Sequence, residues 1–281
     1  MLQPAALVVA YGAPELLEKS LASVRDVGQL IVVDNSRSAD VRAVAERHAA
    51  DYVDPGRNAG FAAGVNIGLG RIDPGRDILL LNPDAVLPDQ AVPVLQEELH
   101  RQPGIAAVAP MLRYADGSLQ RPSWPFPSPL GVWLDALGLG RFRRSARFLV
   151  GAVLMLRSDA VDAIGRFDER FFLYAEEADW QLRALRAGWT VQLVERVTAI
   201  HIGGGTSSDP WRRTVLFHRS GMAFARKWYG RSGYVVIWSG SVIGAALRSL
   251  LRRGPRAAEA RRMLRLLITR PGGNEAGPGD A

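Results

Sequence analysis

The run Asp77-Ile78-Leu79-Leu80-Leu81-Asn82-Pro83-Asp84 decides the fold class. Consecutive aliphatic residues without polar alternation read as a strand buried on both faces, as in a parallel sheet covered by helices. The strand stops at Asn82, and Pro83 stiffens the turn so that Asp84 is presented at its end. Working outward, the first 110 residues repeat this pattern, with strands expected at Ala6–Tyr11, Gln29–Asp34, Asp77–Leu81 and Ile105–Pro110. Segments of helical period lie between and after them, at Pro14–Val24, Val41–Ala49, Phe61–Gly70 and Asp89–His100. Such alternation predicts an α/β fold with a mostly parallel central sheet flanked by helices. Ligands of these sheets bind outside the carboxyl ends of the strands. Tyr11-Gly12, Asp34-Asn35 and Asn82-Pro83-Asp84 all fall there.

Further along, Asp116-Gly117-Ser118 reads as a hairpin turn, and the proline-rich stretch from Pro122 to Pro129 carries Trp124 and Phe126 as a lid or acceptor wall. Val150–Leu156 predicts a strand, Ser158–Ile164 a short helix, and Glu177–Ala187 a helix ended by Gly188. Thr190–Val194 and Ala199–His201 return to extended structure. Helices follow at Trp211–Tyr229, over the apolar Gly233–Leu247 and through the arginine-rich Arg248–Arg270. The glycine-rich tail from Pro271 reads as disordered.

Composition narrows the chemistry. Of 281 residues, 48% are hydrophobic, enough for a substantial core, and none is cysteine. A disulfide scaffold, a thiolate metal site and a cysteine nucleophile are therefore excluded, and a metal must sit on oxygen or imidazole. Met1-Leu2-Gln3-Pro4 has no basic leader, which predicts a cytoplasmic protein. The net charge of +7 is concentrated at the C-terminus, where Ser241–Arg270 holds eight arginines and one acidic residue, Glu259. These arginines alternate with Leu, Met and Ile rather than base-reading motifs, so an anionic membrane surface is expected and nucleic acid is not.

Five constellations carry possible chemistry. Val32-Val33-Asp34-Asn35-Ser36 is either a strand-end turn or a contact to base or ribose. Asn58-Ala59-Gly60-Phe61, continuing to Asn66 and Gly68, opens a helix whose amides suit an anion, although small residues there also serve helix–sheet packing. In Asn82-Pro83-Asp84 the carboxylate is a hard oxygen donor for a divalent cation, or part of an ordinary Asx-Pro turn. Phe171-Phe172-Leu173-Tyr174-Ala175-Glu176-Glu177-Ala178-Asp179-Trp180 gathers three carboxylates at a helix start among aromatics that can raise a carboxyl pKa, as a general base requires. Asp179 and Arg183 also make a good (i, i+4) pair. Finally, His201-Ile202-Gly203-Gly204-Gly205-Thr206-Ser207 places a histidine at a strand end before a flexible loop suited to closing over phosphate.

In this order, from Leu7 to Ser207, the five features resemble the family 2 inverting glycosyltransferases, and most closely bacterial rhamnosyltransferases acting on polyprenyl-diphosphate-linked sugars. Asn58–Gly68, Asn82–Asp84, Asp116–Ser118, Gly165-Arg166-Phe167-Asp168-Glu169 and Tyr174–Arg183 carry the likeness. It implies the GT-A fold, a nucleotide-sugar donor, a divalent cation (Mg²⁺ or Mn²⁺), and a lipid-linked or cell-wall glycan acceptor. By the same resemblance Tyr11, Asp34, Asn35, Asn58, Gly60, Phe61, Asn66 and Asn82 line the donor side, while Asp84 and His201 hold the metal. Asn82 stands where the family's DXD-like motif has its first acid. Glu177 stands where the family has an aspartate base, with Glu176 beside it and Asp179 in reserve. One added methylene displaces a carboxylate by about 1 Å, enough to matter unless the backbone compensates.

The resemblance further implies L-rhamnose from dTDP-rhamnose, with galactofuranose, N-acetylglucosamine and mannose as alternatives. Two other classes are a nucleotidyltransferase, disfavoured because Tyr11-Gly12-Ala13-Pro14 lacks a charged phosphate loop, and an inactive membrane-associated binding module. Linear reading assigns residues 1–209 to the catalytic domain, 210–270 to a helical basic extension and 271–281 to the tail. Gly233–Leu247 is short of the roughly 20 residues a bilayer span needs. It is expected instead as an in-plane helix with Trp238 near the interface, on the inner face of the cell membrane. The alternative is a helix packed on the catalytic domain.

Overall fold

A computed structural model describes residues 1–142, 145–203 and 209–269. The chain alternates β1 (Ala5–Ala10), α1 (Pro14–Ala22), β2 (Gln29–Asp34), α2 (Ala39–Arg47), β3 (Asp51–Val53), α3 (Phe61–Leu69), β4 (Ile78–Leu81), β5 (Ala85–Val86), α4 (Ala91–His100) and β6 (Ile105–Arg113). It continues through β7 (Leu119–Gln120), β8 (Ser123–Pro125), α5 (Pro129–Ala136), β9 (Arg147–Leu149), β10 (Val153–Leu156), α6 (Ser158–Ile164), α7 (Glu176–Arg186) and β11 (Thr190–His201). Two helices close the described chain, α8 (Pro210–Leu251) and α9 (Pro255–Thr269).

The chain divides into two compact units. Met1–Trp124 with Phe148–Arg213 make the first, and Pro125–Arg147 with Thr214–Ala281 the second. This partition differs from the linear one at residue 209, because Pro125–Arg147 clusters with the C-terminal helices. Sequence order hides a grouping made by packing across a long insertion.

In the first unit the sheet order is β3-β2-β1-β4-β10-β6-β11-β5, with β7 on β6. β3, β2, β1 and β4 are mutually parallel, and β11 is parallel to β6. β10 runs antiparallel between β4 and β6. The sheet is therefore mixed at its centre, a feature that an apolar run cannot announce because it reads alike in either direction. Alternate residues of β1 feed two cores. Ala6, Val8 and Ala10 face α1, α2 and α4 through Leu17, Val41 and Leu95. Ala5, Leu7 and Val9 face α3, α6 and α7 through Val65, Ala160 and Trp180. The glycines of α3 serve this packing, since a Cβ on Gly64 would sit 2.7 Å from Val9 Cγ1. The two extended pieces expected around residue 195 are one strand, β11, whose register shifts between Val194 and Thr198.

α8, which belongs to the second unit from Thr214 on, runs from Pro210 to Leu251 as two helices joined by a kink at Gly230, where φ is 65° and ψ −162°. By length and composition α8 could cross a membrane, and 22% of its most apolar window is buried. Trp238 donates its indole N–H to Leu267 O of α9, and Trp133 of α5 donates to Val236 O. Trp238 is thus a packing residue between helices. The tail from Pro271 and the glycines Gly204 and Gly205 lie outside the described residues.

Candidate functional site

At the carboxyl end of β4 the chain turns through Asn82 and Pro83 into the short β5, which pairs antiparallel with the end of β11 so that His201 lies opposite Ala85. This pairing sets His201 Nε2 3.3 Å from Asp84 Oδ1 and 3.4 Å from Asn82 Nδ2. Asp84 is only 4% exposed; its Oδ2 accepts from Gly203 N and its carbonyl from Ile202 N, both at 3.1 Å. On the far side of the ring, His201 Nδ1 is 3.0 Å from Gln120 Oε1. With Gln120 accepting the Nδ1 proton, Nε2 turns a lone pair toward the Asp84 carboxylate. Two acceptors facing each other in a buried corner suit a shared divalent cation, and the mix of imidazole with carboxylate fits Mn²⁺ better than Mg²⁺. Among the described residues no group of three or more His, Asp or Glu side chains is placed to hold a metal ion. Gln120 was missed by the sequence reading. The hairpin at Asp116–Ser118, which was read, is what returns it to this edge.

The second half of the site is the start of α7. Tyr174 and Ala175 both have φ 69°, two successive left-handed residues without glycine's freedom, immediately before Glu176 and Glu177. Backbone strain of this kind costs about 1–3 kcal/mol per residue and survives only where surrounding structure imposes it. Here α7 is held by Gln181, which takes Leu149 N at 2.7 Å and gives to Leu149 O at 2.8 Å. Trp180 adds a stack on Phe167 and a bond to Gly165 O. The stem of Glu177 lies over Gly151, where a Cβ would come within 3.4 Å of Glu177 Cβ.

Glu176 and Glu177 each keep a buried Oε2 without a hydrogen-bond partner. Burial pushes the Glu176 carboxyl well above the usual range, and the neighbouring Glu177 charge adds to it. Burial also raises Glu177, against the pull of backbone amides at the helix start. The phenol of Tyr174 rises too, first through burial, then by the field of Glu176, Glu177 and Asp84, while Arg213 opposes the rise. Tyr174 therefore sits within electrostatic reach of both carboxylates of α7 and of Asp84.

The family model described as "Glycosyl transferase family 2" matches residues 6–165, more than half of the chain. The chain belongs to glycosyl transferase family 2. It is a glycosyltransferase, and among its relatives is the N-acetylglucosaminyl-diphospho-decaprenol L-rhamnosyltransferase of Mycobacterium tuberculosis, 27% identical over 78% of this chain and 82% of that one. A galactofuranosyltransferase of Mycolicibacterium smegmatis is 31% identical over 65% of each chain. Among solved structures, the mannosyltransferase of Pyrobaculum calidifontis in complex with GDP-Man and Mn²⁺ superposes with a TM-score of 0.57 at 14% identity, covering 96% of this chain and 81% of that one. Staphylococcus aureus TarS does so with a TM-score of 0.54 at 11% identity, over 96% and 91%. The fold is of the GT-A type.

Within this glycosyltransferase several expected roles change. Asp34 is fully buried, and four donors of its own chain fill its carboxylate: Ser36 N, Ser36 Oγ, Ser38 N and Tyr52 O–H. These internal bonds make Asp34 the residue that shapes the loop after β2. Asn35 gives one amide hydrogen to Gly60 O and accepts from Ala59 N, which ties β2 to the loop before α3. Asn66 gives both amide hydrogens, to Phe167 O and Glu169, and accepts from Phe167 N, so it clamps the segment around Phe167. Asp179 is wholly buried and bridged to Arg183 at 3.1 Å, which removes it as a reserve base. Tyr11 is 41% exposed past β1, and the Asn58 side chain accepts from Gly60 N. Phe61 N donates to Phe172 O, so this loop is tied to the approach to Glu177. Arg213, near Tyr174, carries no sequence signal that singles it out from the other arginines.

Proposed function

We propose that this enzyme transfers a sugar from a nucleotide-sugar donor to a hydroxyl of a lipid-linked acceptor, with inversion and with Glu177 as the base. The observation that carries it is the pair of buried carboxylates, each with an unpartnered oxygen, at the strained start of α7. Such a pair separates by environment, the higher-titrating member holding a proton while the other stays ionised. Burial raises both carboxyls and raises Glu176 further, so of the two Glu177 is the one that gives up its proton first. The half-buried Glu177 carboxylate takes the proton of the acceptor hydroxyl as that oxygen attacks the anomeric carbon, and the nucleoside diphosphate leaves from the opposite face. Asp84 and His201, with Asn82 beside them, would hold a divalent cation, which supplies charge stabilisation to the departing diphosphate.

The preferred donor is dTDP-L-rhamnose and the acceptor a polyprenyl-diphosphate-linked sugar, by similarity to the mycobacterial rhamnosyltransferase. The galactofuranosyl relative keeps galactofuranose as the second reading. A membrane-borne acceptor also accounts for a cytoplasmic protein docked peripherally, as the basic C-terminal helices suggest. The test is donor consumption across a panel of nucleotide sugars, with Mn²⁺, with Mg²⁺ and with chelator. One donor should turn over and lose activity in chelator; consumption of none under any condition refutes the reading.

A further inference from the structure

The end of α8 and the face of α9 in the second unit enclose a cleft of about 420 Å³, lined by Ala245, Arg248, Arg252, Arg256, Glu259, Ala260 and Met263. Its volume falls within the range of small-molecule sites. Arg248 lies in the last turn of α8 and Arg252 four residues on, just past its end, while Arg256 enters from the first turn of α9 beyond Gly254. Like charges at this spacing repel, and Glu259 alone offsets three of them. None of the three guanidinium groups has an ion-pair or hydrogen-bond partner among the described residues. The floor is apolar, with Ala245 fully buried and Ala260 8% exposed. Beside the cleft, Leu250 and Leu251 project into solvent, 80% and 79% exposed.

We propose that this cleft seats the phosphate of an anionic membrane lipid, with Leu250 and Leu251 set among the acyl chains. Three unpaired guanidiniums supply the forked donors that a phosphate diester accepts. Two exposed leucines at the tip of a helix pair, next to those arginines, are the apolar half of an interfacial anchor. A free phosphate ion would use the arginines and give the leucines no role. The inference rests on the reading that transfer occurs at a membrane, and it names the surface that docks there.

The full chain would be sedimented with vesicles of phosphatidylcholine alone, and with phosphatidylglycerol added. Wild type should bind only the anionic vesicles. Combined Arg248→Gln, Arg252→Gln and Arg256→Gln should weaken that binding by about fivefold per arginine, about a hundredfold together. Equal charge removal in the first unit, by Arg25→Gln, Arg71→Gln and Arg101→Gln, should weaken it far less. Combined Leu250→Ser and Leu251→Ser should weaken it with the arginines intact. Circular dichroism confirms that each variant is folded. Equal effects of the two arginine triples would overturn the site, leaving only general charge attraction. So would binding that inorganic phosphate competes away but anionic lipid does not promote. Donor hydrolysis without vesicles should be unchanged in the Arg248/Arg252/Arg256 variant. Its absence in wild type would count against sugar transfer, and its presence without vesicle binding would count against the lipid cleft alone.

Discussion

Substituting Gly60→Ala should damage stability and turnover together, because one glycine joins the donor-side loop to the segment that carries the base. Gly60 has φ +82°, and a Cβ there would meet Phe172 O at 2.5 Å and the Phe172 ring at 2.7 Å. Two costs add. The backbone conformation, near the glycine-only region, costs about 1–3 kcal/mol for any side-chain-bearing residue. Pushing Phe172 away also lengthens the Phe61 N to Phe172 O hydrogen bond, now 2.7 Å, whose loss costs about 1 kcal/mol. A total of about 3 kcal/mol corresponds to a fall in melting temperature on the order of 10 °C for a chain of this size. Phe172 lies just before the left-handed Tyr174-Ala175 pair, so its displacement moves Glu177. A misplacement of about 1 Å costs on the order of 10²-fold in rate. Thermal denaturation and kcat on the same preparation provide the assay. A Gly60→Ala protein with wild-type melting temperature and kcat would refute the coupling between the two loops.

Two further predictions concern protons. Glu176→Gln mimics the protonated Glu176, so kcat at neutral pH should stay within a few-fold of wild type. Because a raised carboxyl pKa favours the folded state below the unfolded value and loses that contribution as pH rises through the folded value, Glu176→Gln should also raise the melting temperature at alkaline pH; no change would argue against a buried, uncompensated carboxylate. His218 in α8 is held down to about 4 from 6.5 by burial. Its contribution to stability is then complete above pH 6.5 and is lost as pH falls from 6.5 toward 4, by up to about 3 kcal/mol. Hydrogen exchange over α8 should accelerate across that window in wild type and respond less in His218→Phe; equal acceleration in both would contradict it.

Much of the first unit was legible because each strand of the first 110 residues is a short apolar run closed by polar turn residues. The Asp84–His201 pair was legible as two strand ends, although nothing in the sequence tells that the two-residue β5 pairs with β11 and brings them together. The internal partners of Asp34, Asn35 and Asn66 could not be read, since they are donors and acceptors supplied from elsewhere: Ser38 and Tyr52, the backbone at Gly60, and Phe167. Sequence shows that a polar group is present, but its free valences depend on folding. Asp179 failed as a reserve base through the same Arg183 pairing that its spacing announced. Gln120 and Gly151 reach the site through a hairpin and a strand edge, with no motif of their own. The strain at Tyr174-Ala175 belongs to side chains that do not prefer that conformation, so only structure could show it.

The central claim is that Glu177 takes the acceptor proton, and the most direct test compares Glu177→Gln with wild type. Transfer to a lipid-linked acceptor and donor affinity by calorimetry would be measured together, at saturating donor. General-base loss predicts a fall in kcat of about 10²- to 10⁴-fold with donor affinity retained. A Glu177→Gln enzyme that transfers sugar at the wild-type rate would contradict the account.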